Sequence, residues 1–205
     1  MIQNILFDMG NVMIGWKPAH FVERLGYTGK DVQTLVREVY GSVDWVMLDR
    51  GSLTDAEAVE RIRARLPERL RPPVEELVSR WDSEPMAVPG MWELAGELAD
   101  KGYGLYLLTN AGLRHREDWP KFAVSKLFGD RIMLSSAWKL LKPEAEFYRK
   151  AFELFSLDPG ECLFVDDNPP NIEAGQRLGL DGLVFFGDAS LLRRQLREKG
   201  VDVEP

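Results

Sequence analysis

Three apolar runs in this 205-residue chain end abruptly in side chains that can do chemistry. Phe7 is followed by Asp8, Leu108 by Thr109 and Asn110, and Val165 by Asp166, Asp167 and Asn168, while Lys142-Pro143 opens a helical pattern. A carboxylate can attack an electrophile or ligate a hard cation, and an ammonium or amide group can hold an anion. Each of these residues, taken singly, also has an ordinary use as a helix or turn cap. Their common position argues for more. In an open parallel sheet, ligands bind in the crevice beyond the carboxyl ends of the strands, where residues far apart in sequence converge.

The elements that must position them follow from the apolar patterning. Ile5–Phe7, Tyr103–Leu108, Arg131–Leu134, Cys162–Val165 and Leu183–Phe186 read as short buried strands. Helical patterns separate most of them: 89–101, closed by Gly102; 143–155, with Pro143 at its first position; 169–178, closed by Gly179; and 189–199, opened by Asp188 and closed by Gly200. This alternation predicts an α/β fold, a Rossmann-like, mostly parallel sheet flanked by helices. Residues 16–85 break the rhythm. Their apolar residues recur at helical spacing, Thr54 to Glu57 is a capping-box signature, and 72–81 reads as another short helix. The expected organisation is a core of residues 1–15 and 86–205, with a small helical cap, 16–85, inserted after the first strand. Trp16, Trp45 and Trp81 are expected in the packing of that insertion, and His20 and His115 in structural or surface positions.

Composition narrows the partners. With 33 acidic against 26 basic residues and a net charge of −7, the chain should repel nucleic acid and anionic membranes, which leaves a small molecule as the expected ligand. The single cysteine, Cys162, lies in an apolar run and is expected to be a buried thiol. The first residues carry no basic leader and no apolar run approaches membrane-spanning length, so a cytoplasmic protein is expected.

In order along the chain, Ile5-Leu6-Phe7-Asp8-Met9-Gly10-Asn11-Val12, Leu107-Leu108-Thr109-Asn110, Lys142-Pro143-Glu144 and Phe164-Val165-Asp166-Asp167-Asn168 resemble the four motifs of the haloacid dehalogenase-like hydrolases. The Asp-x-Gly-Asn and Asp-Asp-Asn forms are most similar to a subgroup that includes sugar-phosphate phosphatases acting on glucose 1-phosphate. The resemblance implies a phosphatase acting on a small phosphorylated metabolite through a phosphoaspartate on Asp8. It implies Mg²⁺ held by Asp8, the backbone carbonyl of Gly10 and Asp167, with Asp166 in support. Lys142 would then bridge Asp8 and the phosphate, and Thr109 and Asn110 would donate to phosphate oxygens. Two other readings stay open: metal-free haloacid dehalogenation through Asp8, and a catalytically weak phosphate-binding or regulatory module.

The chain departs from the family at one position. Related phosphatases carry a second aspartate two residues after the nucleophile, which protonates the leaving oxygen; here that residue is Gly10. Unless a cap residue or a water positioned by Asn11 takes over, rates should depend steeply on the leaving group.

Overall fold

The computed structural model describes residues 1–80 and 86–205. Its centre is a five-stranded, all-parallel sheet in the order β3-β2-β1-β4-β5. The strands are β1 (Asn4–Phe7), β2 (Gly104–Thr109), β3 (Ile132–Leu134), β4 (Cys162–Asp166) and β5 (Asp181–Val184). Successive side chains of a strand point to opposite faces, and here both faces are apolar. Ile5, Phe7, Leu105, Leu107, Leu163 and Val165 pack to one side, and Leu6, Leu108 and Phe164 to the other. That pattern requires helices on both faces.

Between β1 and the rest of the sheet run α1 (Pro18–Glu23), α2 (Gly29–Val39), α3 (Val43–Arg50), α4 (Asp55–Arg65) and α5 (Val74–Ser79), the cap. The core helices are α6 (Met91–Asp100), α7 (His115–Asp118), α8 (Ser125–Phe128), α9 (Ser135–Trp138), α10 (Ala145–Phe155), α11 (Pro169–Gln176) and α12 (Ala189–Glu198). α6 and α12 cover the first face, with Met91, Leu94, Leu98, Leu192 and Leu196 buried there. α10 and α11 cover the second through Phe147, Tyr148, Ala151 and Ile172. The capping box at Thr54 forms as expected, and Gly102 and Gly200 follow their helices at positive φ. The two crossings between cap and core lie side by side: Gly15 N–H donates to the Met86 carbonyl at 2.7 Å, and Val88 N–H to that of Met13 at 3.2 Å.

Several boundaries differ from expectation. β5 begins and ends upstream of 183–186, because its register runs from Leu163–Asp181 to Asp166–Val184 and its partner β4 stops at Asp166; Phe186 lies beyond it, 71% exposed. Pro143 is not the first residue of a helix. It follows a cis peptide bond in the turn that carries Lys142, and α10 starts at Ala145 after an extended Glu144. The helix expected over 72–81 covers only Val74–Ser79, and Trp81 falls outside the described residues. The one-turn helices α7, α8 and α9 are too short to leave a periodic signature. Cys162 is buried, and burial pushes its thiol up to about 11. No described helix is long and apolar enough to cross a membrane.

Candidate active site

Strand pairing builds the site. β1 and β4 are hydrogen-bonded neighbours in register, Phe7 opposite Val165, so their next residues, Asp8 and Asp166, emerge side by side. Asp8 N–H continues the ladder to the Val165 carbonyl at 2.9 Å. β2 lies on the other flank of β1 and delivers Thr109 and Asn110 at the same sheet edge.

Lys142 is the hub. Its Nζ lies 2.8 Å from Asp8 Oδ1, 2.6 Å from Asp166 Oδ2 and 2.8 Å from the Leu108 carbonyl oxygen. Three acceptors match the three protons of an ammonium group. Lys142 and Asp166 are buried, while Asp8 keeps a small opening to the cavity. Burial works against the charge of Lys142, but Asp8 and Asp166 outweigh it and raise its pKa. Asp166 also accepts from Asn168 N–H at 2.8 Å and from the Asn171 amide at 3.0 Å, so both its oxygens are engaged within the protein. It positions Lys142 from behind.

Asp8, Asp166 and Asp167 each present a carboxylate oxygen, all within 4.8 Å of one another. Burial, opposed by Lys142 and reinforced by the Asp166 charge, pushes the Asp8 carboxyl up to about 7. Asp167 is also raised, chiefly by burial. Three crowded carboxylates, all hard oxygen donors, fit a small hard cation such as Mg²⁺.

The loop after β1 shows why its residues are these. Gly10 has an ordinary φ, and a Cβ there would meet only Trp16 Cβ at 3.8 Å, so the backbone does not demand glycine. The left-handed residue is its neighbour Asn11, at φ 54°. Asn11 donates to Asp167 Oδ2 at 2.9 Å and accepts from Trp16 N–H at 3.0 Å, tying the acidic pair to the cap entrance.

Asn110 does something the sequence did not suggest. Its side chain donates to the Lys142 carbonyl at 3.0 Å and accepts from Lys142 N–H at 2.9 Å. That two-point clamp holds the lysine turn against β2 and uses one of the two amide protons. Thr109 is buried at the cavity floor.

These residues open into a cavity of about 300 Å³ whose upper wall comes from the cap. Trp16, Tyr40 and Trp45 line it and contact one another edge-on or tilted, with ring centroids 4.8–5.4 Å apart. Trp16 and Trp45 are therefore not simply core. They are half-buried and face both the packing and the cavity. His20 is exposed, as expected, but His115 is a buried cavity-wall residue with Nδ1 3.2 Å from the Gly112 carbonyl. Asp49 also faces the cavity and was not anticipated. The available signal was helical spacing, which puts Trp45 and Asp49 at i and i+4 on one face of α3.

The sequence pattern of the haloacid dehalogenase-like hydrolases matches residues 2–179. A sesquiterpene phosphatase of Aspergillus oryzae is 26% identical over 188 residues, covering 87% of each chain. A haloacid dehalogenase-family enzyme of Bacteroides thetaiotaomicron, solved with magnesium and inorganic phosphate, superposes with a TM-score of 0.69 at 22% identity, over 94% of this chain and 99% of that one. L-2-haloacid dehalogenase of Xanthobacter autotrophicus superposes at 0.67 with 15% identity, over 100% of this chain and 85% of that one. At such identities the two structures speak to the fold alone.

Proposed function

This chain belongs to the haloacid dehalogenase-like hydrolases, and from that premise we propose that it is a Mg²⁺-dependent phosphatase acting on a small phosphorylated metabolite through Asp8. The observation that carries the reading is the carboxylate cluster of Asp8, Asp166 and Asp167 beside buried Lys142. Dehalogenation through Asp8 needs no metal, whereas Asp167 beside the Asp8–Asp166 pair suits a cation site. The phosphatase name of the Aspergillus relative supports the same choice.

In this reading Lys142 fixes the rotamer of Asp8 through Oδ1 and aims the carboxylate at phosphorus. Bound Mg²⁺, held by Asp8, the Gly10 carbonyl and Asp167, supplies the positive charge that lets a phosphate dianion approach a carboxylate. Thr109 and the remaining amide proton of Asn110 would donate to phosphate oxygens, both residues lining the cavity. Attack by Asp8 breaks the ester bond and forms a phosphoaspartate, which water then hydrolyses. Residues 1–15 and 86–205 carry this chemistry, while 16–85 cover it and select the substrate.

The finer reading is a single-ring sugar phosphate. A cavity of about 300 Å³ is small for a metabolite site, and the Trp16, Tyr40 and Trp45 rings offer a flat apolar wall for the C–H face of a sugar.

A panel of phosphorylated metabolites, read by phosphate release with Mg²⁺ and with chelator, tests the proposal, and a halo-acid read by halide release runs beside it. Phosphate release that chelation stops and Mg²⁺ restores is expected, with Asp167→Ala needing at least tenfold more Mg²⁺. Halide release at equal rates in chelator and Mg²⁺, without phosphate release, would transfer the assignment to the dehalogenase reading.

A further inference from the structure

The route above leaves one need unmet. When the ester bond breaks, its electron pair stays on the departing oxygen, and an alkoxide leaves slowly unless a proton reaches it. In-line displacement places that oxygen opposite the nucleophile. Asp8 attacks from the sheet edge, so the leaving group points at the cap and the proton must come from there.

Few residues on the cavity wall qualify. Gly10 has no side chain, and the Asn11 amide has no titratable proton. Lys142 directs its ammonium at Asp8, Asp166 and Leu108. The Tyr40 hydroxyl donates away from the cavity, to the Leu77 carbonyl at 3.0 Å. Asp49 is the cavity-lining carboxyl outside the cluster of three, and it comes from the cap.

Its backbone is held unusually firmly for a cap residue. Ser135 Oγ donates to the Asp49 carbonyl at 2.5 Å. Arg50 pairs with Glu144 and donates to the Lys139 carbonyl at 3.1 Å. Gly51, at φ 72°, lies so close to Ser136 that a Cβ would overlap the Ser136 carbonyl. The end of α3 is thus clamped to α9 and to the lysine turn at Asp49 and the two residues that follow it.

Building on the phosphatase reading, we infer that Asp49 is the general acid that protonates the leaving oxygen and the general base for the hydrolytic water. In the first step Asp8 forms the O–P bond, the ester P–O bond breaks, and the leaving oxygen takes the Asp49 proton to depart as an alcohol. In the second, water attacks phosphorus and gives a proton to the Asp49 carboxylate; the P–O bond to Asp8 breaks, its electron pair returning to Asp8. Phosphate and the starting enzyme result. The surroundings suit the acid form. Burial raises the Asp49 pKa well above the usual carboxylate value, Arg114 opposes the shift and Asp8 adds to it. The other titratable groups facing the cavity are Tyr40, His115, Lys142 and Asp167.

The test compares kcat/KM for an aryl phosphate, whose phenolate leaves unaided, with that for an alkyl phosphate, in wild type and Asp49→Asn at saturating Mg²⁺. We expect alkyl kcat/KM to fall ~10²–10⁴-fold and aryl kcat/KM less than about tenfold. The alkaline limb of the alkyl pH profile should vanish, Asp49→Glu should recover part of the rate, and calorimetric Mg²⁺ affinity should be unchanged. Equal losses on both substrates, no loss on either, or the selective loss appearing in His115→Gln instead would overturn the assignment. So would a wild type that turns over aryl but not alkyl esters. These outcomes leave the phosphatase reading standing, provided Asp8→Asn abolishes aryl turnover. A wild type that releases phosphate from neither ester removes both. If Asp49→Asn fails to fold, Asp49→Glu and the wild-type aryl-to-alkyl ratio decide.

Discussion

The floor and the roof of the cavity are built on different physical footings. The floor residues Asp8, Thr109 and Asp166 are the ends or immediate successors of three adjacent strands, so the backbone ladder sets their separation before any side chain packs. Lys142 then joins two of them through a buried ammonium. The roof residues Trp16, Tyr40, Trp45 and Asp49 come from a loop and two helices whose relation to the sheet depends on ring packing and on the clamp at Gly51. The floor stores electrostatic cost, since its carboxylates are crowded away from water, and gains from a cation. The roof is largely apolar and places one acid. Under the proposed function, reaction type follows from strand topology and choice of leaving group from helix docking.

Substitutions that act on one surface and spare the other sharpen this contrast. The largest effect is expected for Asp8→Asn, which removes the proposed nucleophile: kcat should fall roughly 10⁴-fold or more on aryl and alkyl esters alike, while circular dichroism stays native. Undiminished phosphate release from the folded variant would sink the assignment of Asp8. Next comes Lys142→Met. It leaves the fully buried Asp166 without its counter-ion and should cost about 3–5 kcal/mol of stability, measured by denaturant unfolding; a loss under about 1 kcal/mol would mean the floor relaxes as readily as the roof.

Gly51→Ala probes the roof alone. Left-handed strain costs about 1–2 kcal/mol, and the overlap with Ser136 must push α3 away from α9. Alkyl kcat/KM should drop ~10-fold or more through misplacement of Asp49, with aryl kcat/KM nearly unchanged; parallel losses would show that the two surfaces are not separable.

The smallest effect is thermal. Because the folded-state pKa of Asp8 is raised from 3.8 to about 7, protonation favours the folded protein. The stability tied to this group is complete below its unfolded value and is lost as pH rises through about 7. Mg²⁺ counters that loss, so the rise in Tm on adding Mg²⁺ should be larger at pH 8 than at pH 6 by a few degrees, at ~2–4 °C per kcal/mol. Asp49 shifts in the same direction. The difference should therefore shrink in Asp8→Asn, and one that persists in full would assign the effect elsewhere.

How much of this was legible beforehand depended on whether a residue's place follows from the chain alone. Asp8, Thr109, Asn110, Asp166 and Asp167 stood out as polar residues ending apolar runs, and strand ends in a parallel sheet share one edge whatever the side chains do. The helical character of the insertion and its Thr54 capping box were readable for the same local reason. The Asn110 clamp on Lys142 was not, since it joins residues 32 positions apart by two hydrogen bonds that leave no periodic trace. Gly10 announced that a proton donor was missing but carried no sign of its replacement. Asp49 is one acidic residue among many in a helix whose partners are unknown until it docks, and only the close approach of Gly51 to Ser136 brings it over the cavity. The sequence by itself determined the sheet, the strand-end place of Asp8 and the acidic cluster, because local pattern and strand order suffice for them; tertiary structure alone decided what roofs the site, because a cap helix reaches the floor through side-chain packing that neither periodicity nor spacing encodes.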